Sequence, residues 1–244
     1  MGYRRTRFIA ALAWFYGLSA LKRGPIYVLS YMVSPLSLLF LIYVISRGTL
    51  VQYAVLGGLL GTVVGNSLTS IGDFAFLRLE IKLQDLVVAT EAKPLDYLLG
   101  LTLGNLLFSA PGILTYIALG EVYRMFTPFN SLWTLLVVAL IMMSSSSLSF
   151  LIASALKHVR YAWGLAGFLS VAFTIIPPLY YPASVLSSSM VDALMVIPST
   201  PASLALQSQF GLWGGSYVLP TLILFLEAVV YPVLAVRFSR WREV

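Results

Sequence analysis

A carboxylic acid in the middle of an apolar run can relay a proton, pair with a cation or anchor a polar cavity, and Glu227 is the one acid so placed in this chain. Holding its charge at the centre of a bilayer costs about 3 kcal/mol on insertion scales. Glu227 is therefore expected either to serve proton coupling or to sit neutral and hydrogen-bonded. The hydroxyls of Ser144–Ser147 are its candidate partners. With Ser149 and Ser154, these serines make a second apolar run polar on several faces. Ser144, Ser145 and Ser147 suit either hydrogen bonding between helices or the lining of a transport path. His158, the single histidine, stands between Lys157 and Arg160 in the turn between two apolar runs. A serine nucleophile needs a base at its own depth, and a histidine flanked by cations at the boundary does not supply one. One histidine without clustered carboxylates, in a chain without cysteine, offers no metal site either.

Nucleotide chemistry is missing as well. No Gly-x-x-x-x-Gly-Lys-Ser/Thr loop occurs, and Gly57-Gly58-Leu59-Leu60-Gly61 lacks the lysine and lies inside an apolar run. Any work done by this chain must draw on a partner's ATP hydrolysis or on an ion gradient. The potassium-filter sequence is absent too. Gly57, Gly61 and Gly65 recur every four residues on one helical face. Such a stripe lets a second backbone approach closely, as helix packing within one subunit or as a dimer contact.

The elements that hold these residues follow from hydropathy. Hydrophobic residues make up 59% of the 244-residue chain and charged residues 10%, with a mean hydropathy of +0.92. Soluble domains carry about 25% charged residues, so lipid is the expected solvent. A spanning helix needs about 20 apolar residues. Six stretches meet that: Ile26–Ser46, Leu50–Gly72, Leu98–Gly120, Leu132–Leu156, Tyr161–Tyr181 and Ser216–Phe238. Period-2 alternation is absent, which selects helices over a barrel. With the N-terminus inside, 13 of the 15 Lys and Arg residues fall on the cytoplasmic side, and only Arg47 and Arg124 fall outside. The positive-inside rule thus puts both termini in the cytoplasm. The basic residues are spread between spans rather than gathered in a patch, so the net charge of +6 reads as topology and not as nucleic-acid binding.

Three segments do not span. Residues 1–24 hold basic residues on both sides of a short apolar stretch centred on Trp14, Phe15 and Tyr16. They read as a helix in the inner interface rather than a signal peptide, with Gly24-Pro25 as the elbow into the first span. Residues 73–97 hold five of the nine acids. Within them, Arg78–Thr90 has helix-forming residues and no Gly or Pro, which predicts a helix with Leu79, Leu83, Leu86 and Val87 on one face. Residues 182–215 lack Lys and Arg and are punctuated by Pro182, Pro198 and Pro201, which predicts short helices at the outer leaflet. Pro177-Pro178 predicts a kink or an early end to the fifth span.

This layout resembles the ABC-2-type transporter permeases. Leu83-Gln84-Asp85-Leu86-Val87-Val88-Ala89-Thr90 followed by Pro94-Leu95-Asp96-Tyr97-Leu98-Leu99-Gly100 is similar to that family's first cytoplasmic loop. Tyr181-Pro182-Ala183-Ser184-Val185-Leu186 and Pro198-Ser199-Thr200-Pro201-Ala202 are similar to its outer segment. Thr90 is followed by Glu91 where the family often has proline, and Leu101 stands where it often has lysine. The resemblance implies an all-α integral membrane domain with an elbow helix, six spans, a cytoplasmic coupling helix and an outer re-entrant hairpin. It also implies a dimer with a second permease, identical or paralogous, in the cytoplasmic membrane. Each permease would contact an ATP-binding subunit through Glu80, Lys82, Leu83, Asp85, Leu86 and Thr90, with ATP and magnesium held by that partner. Cargo would leave outward, and the low charge of the spans favours a lipophilic or amphipathic one. The alternatives are a proton-coupled transporter or channel-like protein using Glu227, and a membrane anchor without transport.

Overall fold

In lipid, every backbone N–H must find its carbonyl within the protein, and the long apolar runs meet that demand as helices. The computed structural model describes residues 2–239. Arg240 and Arg242, counted above as cytoplasmic, lie outside the described residues, as do the side chains of Arg4 and Arg23. The chain is all-helical, with no strand among the described residues. Its helices are α1 (Gly2–Ala13), α2 (Ser19–Arg23), α3 (Pro25–Ile45), α4 (Val51–Leu79), α5 (Leu83–Val88) and α6 (Pro94–Val122). They continue as α7 (Pro128–Ala155), α8 (Val159–Ile175), α9 (Ser188–Leu194), α10 (Ser199–Gln209) and α11 (Val218–Phe238). Trp14–Leu18, between α1 and α2, is π-helical.

Four helices, α4, α6, α7 and α11, are long and apolar enough to cross a membrane, which is compatible with a multi-pass membrane protein. Two further apolar helices are shorter: α8, at 17 residues, and the Pro35–Ile45 part of α3. The stretch expected to run to Tyr181 leaves the helix after Ile175, because Pro177 and Pro178 have no amide hydrogen to continue the ladder. Helix starts follow local chemistry. Pro25, Pro94 and Pro128 each open a helix at the position where a missing N–H costs nothing. Thr127 caps α7 by accepting the Asn130 amide at 3.2 Å.

The centre of the fold is α4, buried along most of its length and packed by α3, α6, α7, α8 and α10. Its glycine stripe is filled from within the chain. Gly57 meets the Leu179 carbonyl and the Tyr180 ring, Gly61 meets the Tyr180 hydroxyl, and Gly65 lies against Ser170. The stripe therefore admits α8 at Gly65 and the segment after α8 at Gly57 and Gly61.

The 182–215 segment forms a short 3-10 turn, Ala183–Val185, and then the exposed α9 and the buried α10. Gln207 of α10 satisfies the irregular backbone beside it. It accepts the Ala183 amide at 3.1 Å and donates to Pro178 O at 2.5 Å. Ser203 also donates to Pro178 O, at 2.6 Å.

One expected element is corrected. The chain is not a single helix over Arg78–Thr90: α4 ends at Leu79, and Lys82 takes a left-handed conformation (φ 54°) before α5 begins. The break rotates the following residues. Gln84 and Val87 are buried while Leu86 is 65% exposed, so Leu86 and Val87 do not share a face.

Candidate functional site

The polar residues that interrupt the apolar helices converge. On α4, Asn66, Ser70 and Asp73 follow one another at spacings of four and three, which puts them on one face. On α6, Asn105 and Ser109 form a matching pair at a spacing of four. Asn66 donates to Ser109 Oγ at 2.9 Å, and Ser70 donates to Asn105 Oδ1 at 3.0 Å. The Asn105 amide reaches Ser146 Oγ of α7 at 3.4 Å, and Ser146 in turn donates to Ser67 Oγ at 3.3 Å. Asn66, Ser67, Ser70, Asn105, Ser109 and Ser146 are all buried. In an apolar interior such groups stay only when hydrogen-bonded, so this network sets the register of α4, α6 and α7.

The π-helical turn supplies the remaining member. Its Tyr16 hydroxyl donates to Asp73 Oδ2 at 2.8 Å and has Ser70 Oγ at 3.1 Å. A π-turn inserts one residue into the helical repeat, and such insertions recur at functional sites. Here Gly104 makes room for it. A side chain at Gly104 would collide with the Tyr16 ring, and one at Gly17 with the Gly104 carbonyl. The Tyr16 ring also packs against Phe74, 5.8 Å between centroids.

Above this network lies a pocket of about 500 Å³. Asn66, Ser70, Asp73 and Asn105 form its polar side together with Tyr16. Phe15, Phe76, Phe108 and Trp163 supply aromatic walls. Phe15 and Trp163 are 54% and 43% exposed, whereas Ser70 and Asn105 are buried, so the aromatics form the rim and the hydroxyl and amide groups the floor. Gly72 lets the Trp163 indole lie flat on α4, where any β-carbon would overlap the ring.

The residues singled out from the sequence are distributed differently. Glu227 is buried in α11 beside the Tyr231 hydroxyl, which donates instead to Val196 O at 2.7 Å and leaves the carboxyl without a well-formed hydrogen bond among the described residues. The serine run does not supply one: Ser144 donates to Ile141 O at 3.1 Å and Ser147 to Met143 O at 2.6 Å, both within α7. Ser145 Oγ is buried without a partner among the described residues, and only Ser146 of the run joins the network. His158 stacks edge-on against Tyr161, 5.5 Å between centroids, at the start of α8.

At the α4–α5 turn, Glu80, Lys82, Asp85, Leu86 and Thr90 are exposed and Leu83 is half-buried. Thr90 caps its own turn by donating to Val87 O at 2.7 Å. Arg78 ties this region to α7, donating to Ser154 O at 2.6 Å and to Leu156 O. A cation at these C-terminal carbonyls also complements the helix dipole. Asp96 accepts the Lys93 amide at 3.0 Å and lies 3.7 Å from Arg5 Nε, so the first turn of α6 is linked to α1.

No group of three or more His, Cys, Asp or Glu side chains among the described residues could hold a metal ion. No family model matches the chain, and no curated protein is significantly similar to it.

Proposed function

We propose that this chain is the transmembrane subunit of an ATP-driven exporter of the ABC-2 permease type, pairing with a second permease and with separate ATP-binding subunits. In this reading α3 and α8 join the four long helices as spans, both termini are cytoplasmic, and 182–215 is the outer re-entrant hairpin. The observation that supports it best is the α4–α5 turn. Leu86 is 65% exposed beside exposed Asp85, Lys82 and Ile81, while Gln84 and Val87 root the same short helix in the membrane domain. An exposed apolar side chain ringed by charge on a rooted element suits insertion into a partner's groove. The Arg78 clamp would pass a push on α5 to the end of α7, and the chain itself would pass it to α4.

The test asks whether a neighbouring reading frame encodes a phosphate-loop ATPase and whether that ATPase co-purifies with this chain. Leu86→Asp, at an exposed position, should leave insertion and melting unchanged while abolishing ATPase capture. Val87→Asp, at a buried position, should instead unfold the domain. Retention of the ATPase by a folded Leu86→Asp variant would refute the docking role.

A second reading rests on Glu227, a carboxyl buried in α11 beside the Tyr231 hydroxyl with no well-formed hydrogen bond among the described residues. Proton coupling through it predicts that Glu227→Gln stops transport in ATP-depleted vesicles. Transport that survives this substitution and fails only on ATP depletion excludes the reading.

A further inference from the structure

We infer that the pocket between the π-turn, α4, α6 and α8 is a binding site for a hydrophobic organic cation, with Asp73 as the counter-ion. Among the described residues, Asp73 is the only charged side chain that lines it. Among the described residues Asp73 has one hydrogen-bond donor, the Tyr16 hydroxyl, and no cationic partner. Three described basic side chains are engaged elsewhere: Arg78 on the α7 carbonyls, Arg5 near Asp96 and Lys22 over the Trp14 ring at 4.7 Å. A carboxylate fixed by one hydroxyl at the edge of an aromatic enclosure is an incomplete ion pair. A cationic ligand would complete it.

The walls identify its kind. Phe15, Phe76, Phe108 and Trp163 present ring faces and edges, and aromatic faces attract a desolvated cation most strongly when it is large and weakly hydrated. An inorganic cation would need several oxygen ligands in one shell. Here the Asn105 carbonyl already accepts from Ser70, the Tyr16 hydroxyl donates to Asp73 and the Asn66 amide donates to Ser109, and the remaining walls are aromatic or aliphatic. A neutral lipid chain would give the buried amides and the carboxylate nothing to do. The volume, about 500 Å³, lies in the range of drug-sized ligand sites.

Location favours the same class. Asp73 lies 22 residues along α4 from Val51, or about 33 Å of helix rise, beyond a hydrocarbon core about 30 Å thick. In the orientation proposed above that is the inner interface, where anionic lipids concentrate amphipathic cations. As the loading point for exported cargo the site rests on the exporter reading, whereas as a binding site it does not. Binding is therefore measured on the full chain in lipid nanodiscs, without any ATPase.

The probe is radiolabelled tetraphenylphosphonium, competed with neutral triphenylphosphine oxide and anionic tetraphenylborate. Saturable binding of the cation is expected, with neither competitor displacing it at equal concentration. Asp73→Asn should weaken it about tenfold or more, and Asp73→Glu should retain most of it. Trp163→Ala should weaken it without abolishing charge selectivity. Equal displacement by the neutral compound, or an Asp73→Asn affinity within about twofold of the parent, overturns the inference. The competition in the unmodified protein decides the matter even if the Asp73 variants fail to fold. Loss of ATPase capture by Leu86→Asp with binding intact would separate the two readings.

Discussion

Replacing Gly72 with alanine tests the pocket wall directly. A β-carbon at this position would fall within the indole of Trp163, against the body of the ring rather than a flexible tip. Two responses are open: the ring stays and α4 and α8 separate, or the ring swings out. Trp163 is 43% exposed, so the second is cheaper. Overpacking costs about 1–3 kcal/mol when neighbours are confined, and the lower end applies where a side chain has open space. Against that, Gly→Ala within a helix gains about 0.5–1 kcal/mol. The net loss of stability should stay within about 1 kcal/mol, while the indole leaves its seat. A variant retaining Trp163 as its only tryptophan, with Trp14, Trp133, Trp213 and Trp241 changed to Phe, reads this out. Gly72→Ala should shift its emission maximum and change acrylamide quenching with little change in melting. Gly167→Ala, on α8 beside Trp163 with nothing within 4 Å of the new methyl, is the control and should change neither. If Gly72→Ala leaves emission and quenching as they were, the indole does not lie on α4 and the pocket lacks this wall.

Gly58→Ala places the same methyl against Tyr116, which is 0% exposed and has no open side. The loss should therefore reach about 2–3 kcal/mol in thermal unfolding, and a second change, Tyr116→Leu, should recover part of it. Asn105→Ala removes the acceptor of Ser70 and the donor to Ser146. At about 0.6 kcal/mol per hydrogen bond within a membrane, with a small cavity added, the cost is about 1–2 kcal/mol. It should be less than additive with Ser146→Ala, and strict additivity in a double-mutant cycle would show that the network is not coupled.

Much of the architecture was legible because hydropathy and proline act locally. The four long helices each overlap a predicted span, and the fifth stretch ends where Pro177-Pro178 said it could. The short, proline-bounded helices of 182–215 were likewise foreseeable. The Arg78–Thr90 helix was not, for a tertiary reason. It has strong helix formers early and no Gly or Pro, yet the chain turns at Lys82 in a conformation that non-glycine residues seldom adopt. The turn lets Arg78 reach the α7 carbonyls and lets Gln84 and Val87 enter the interior. Propensity, worth tenths of a kcal/mol per residue, yields to such contacts. A face drawn through a continuous helix consequently paired Leu86 with the wrong neighbours.

The pocket was hidden for a related reason. A charge at the end of an apolar run is ordinarily taken as the end of the span, so Asp73 read as the first residue of a polar loop. In the fold, α4 continues to Leu79, and Asp73 remains on the face that carries Asn66 and Ser70. The spacing of those three residues was available in the sequence; what hid it was stopping the helix at the charge. Tyr16 offered less warning, because an aromatic beside basic residues reads as an interfacial anchor. Its aim at Asp73 depends on the π-turn and on the notch at Gly104, two features with no local signature. Intramembrane polar residues are therefore better read along the whole helix than within the apolar window. A helix about 43 Å long outruns a hydrocarbon core of about 30 Å, and the overhang can hold a charge that still faces inward.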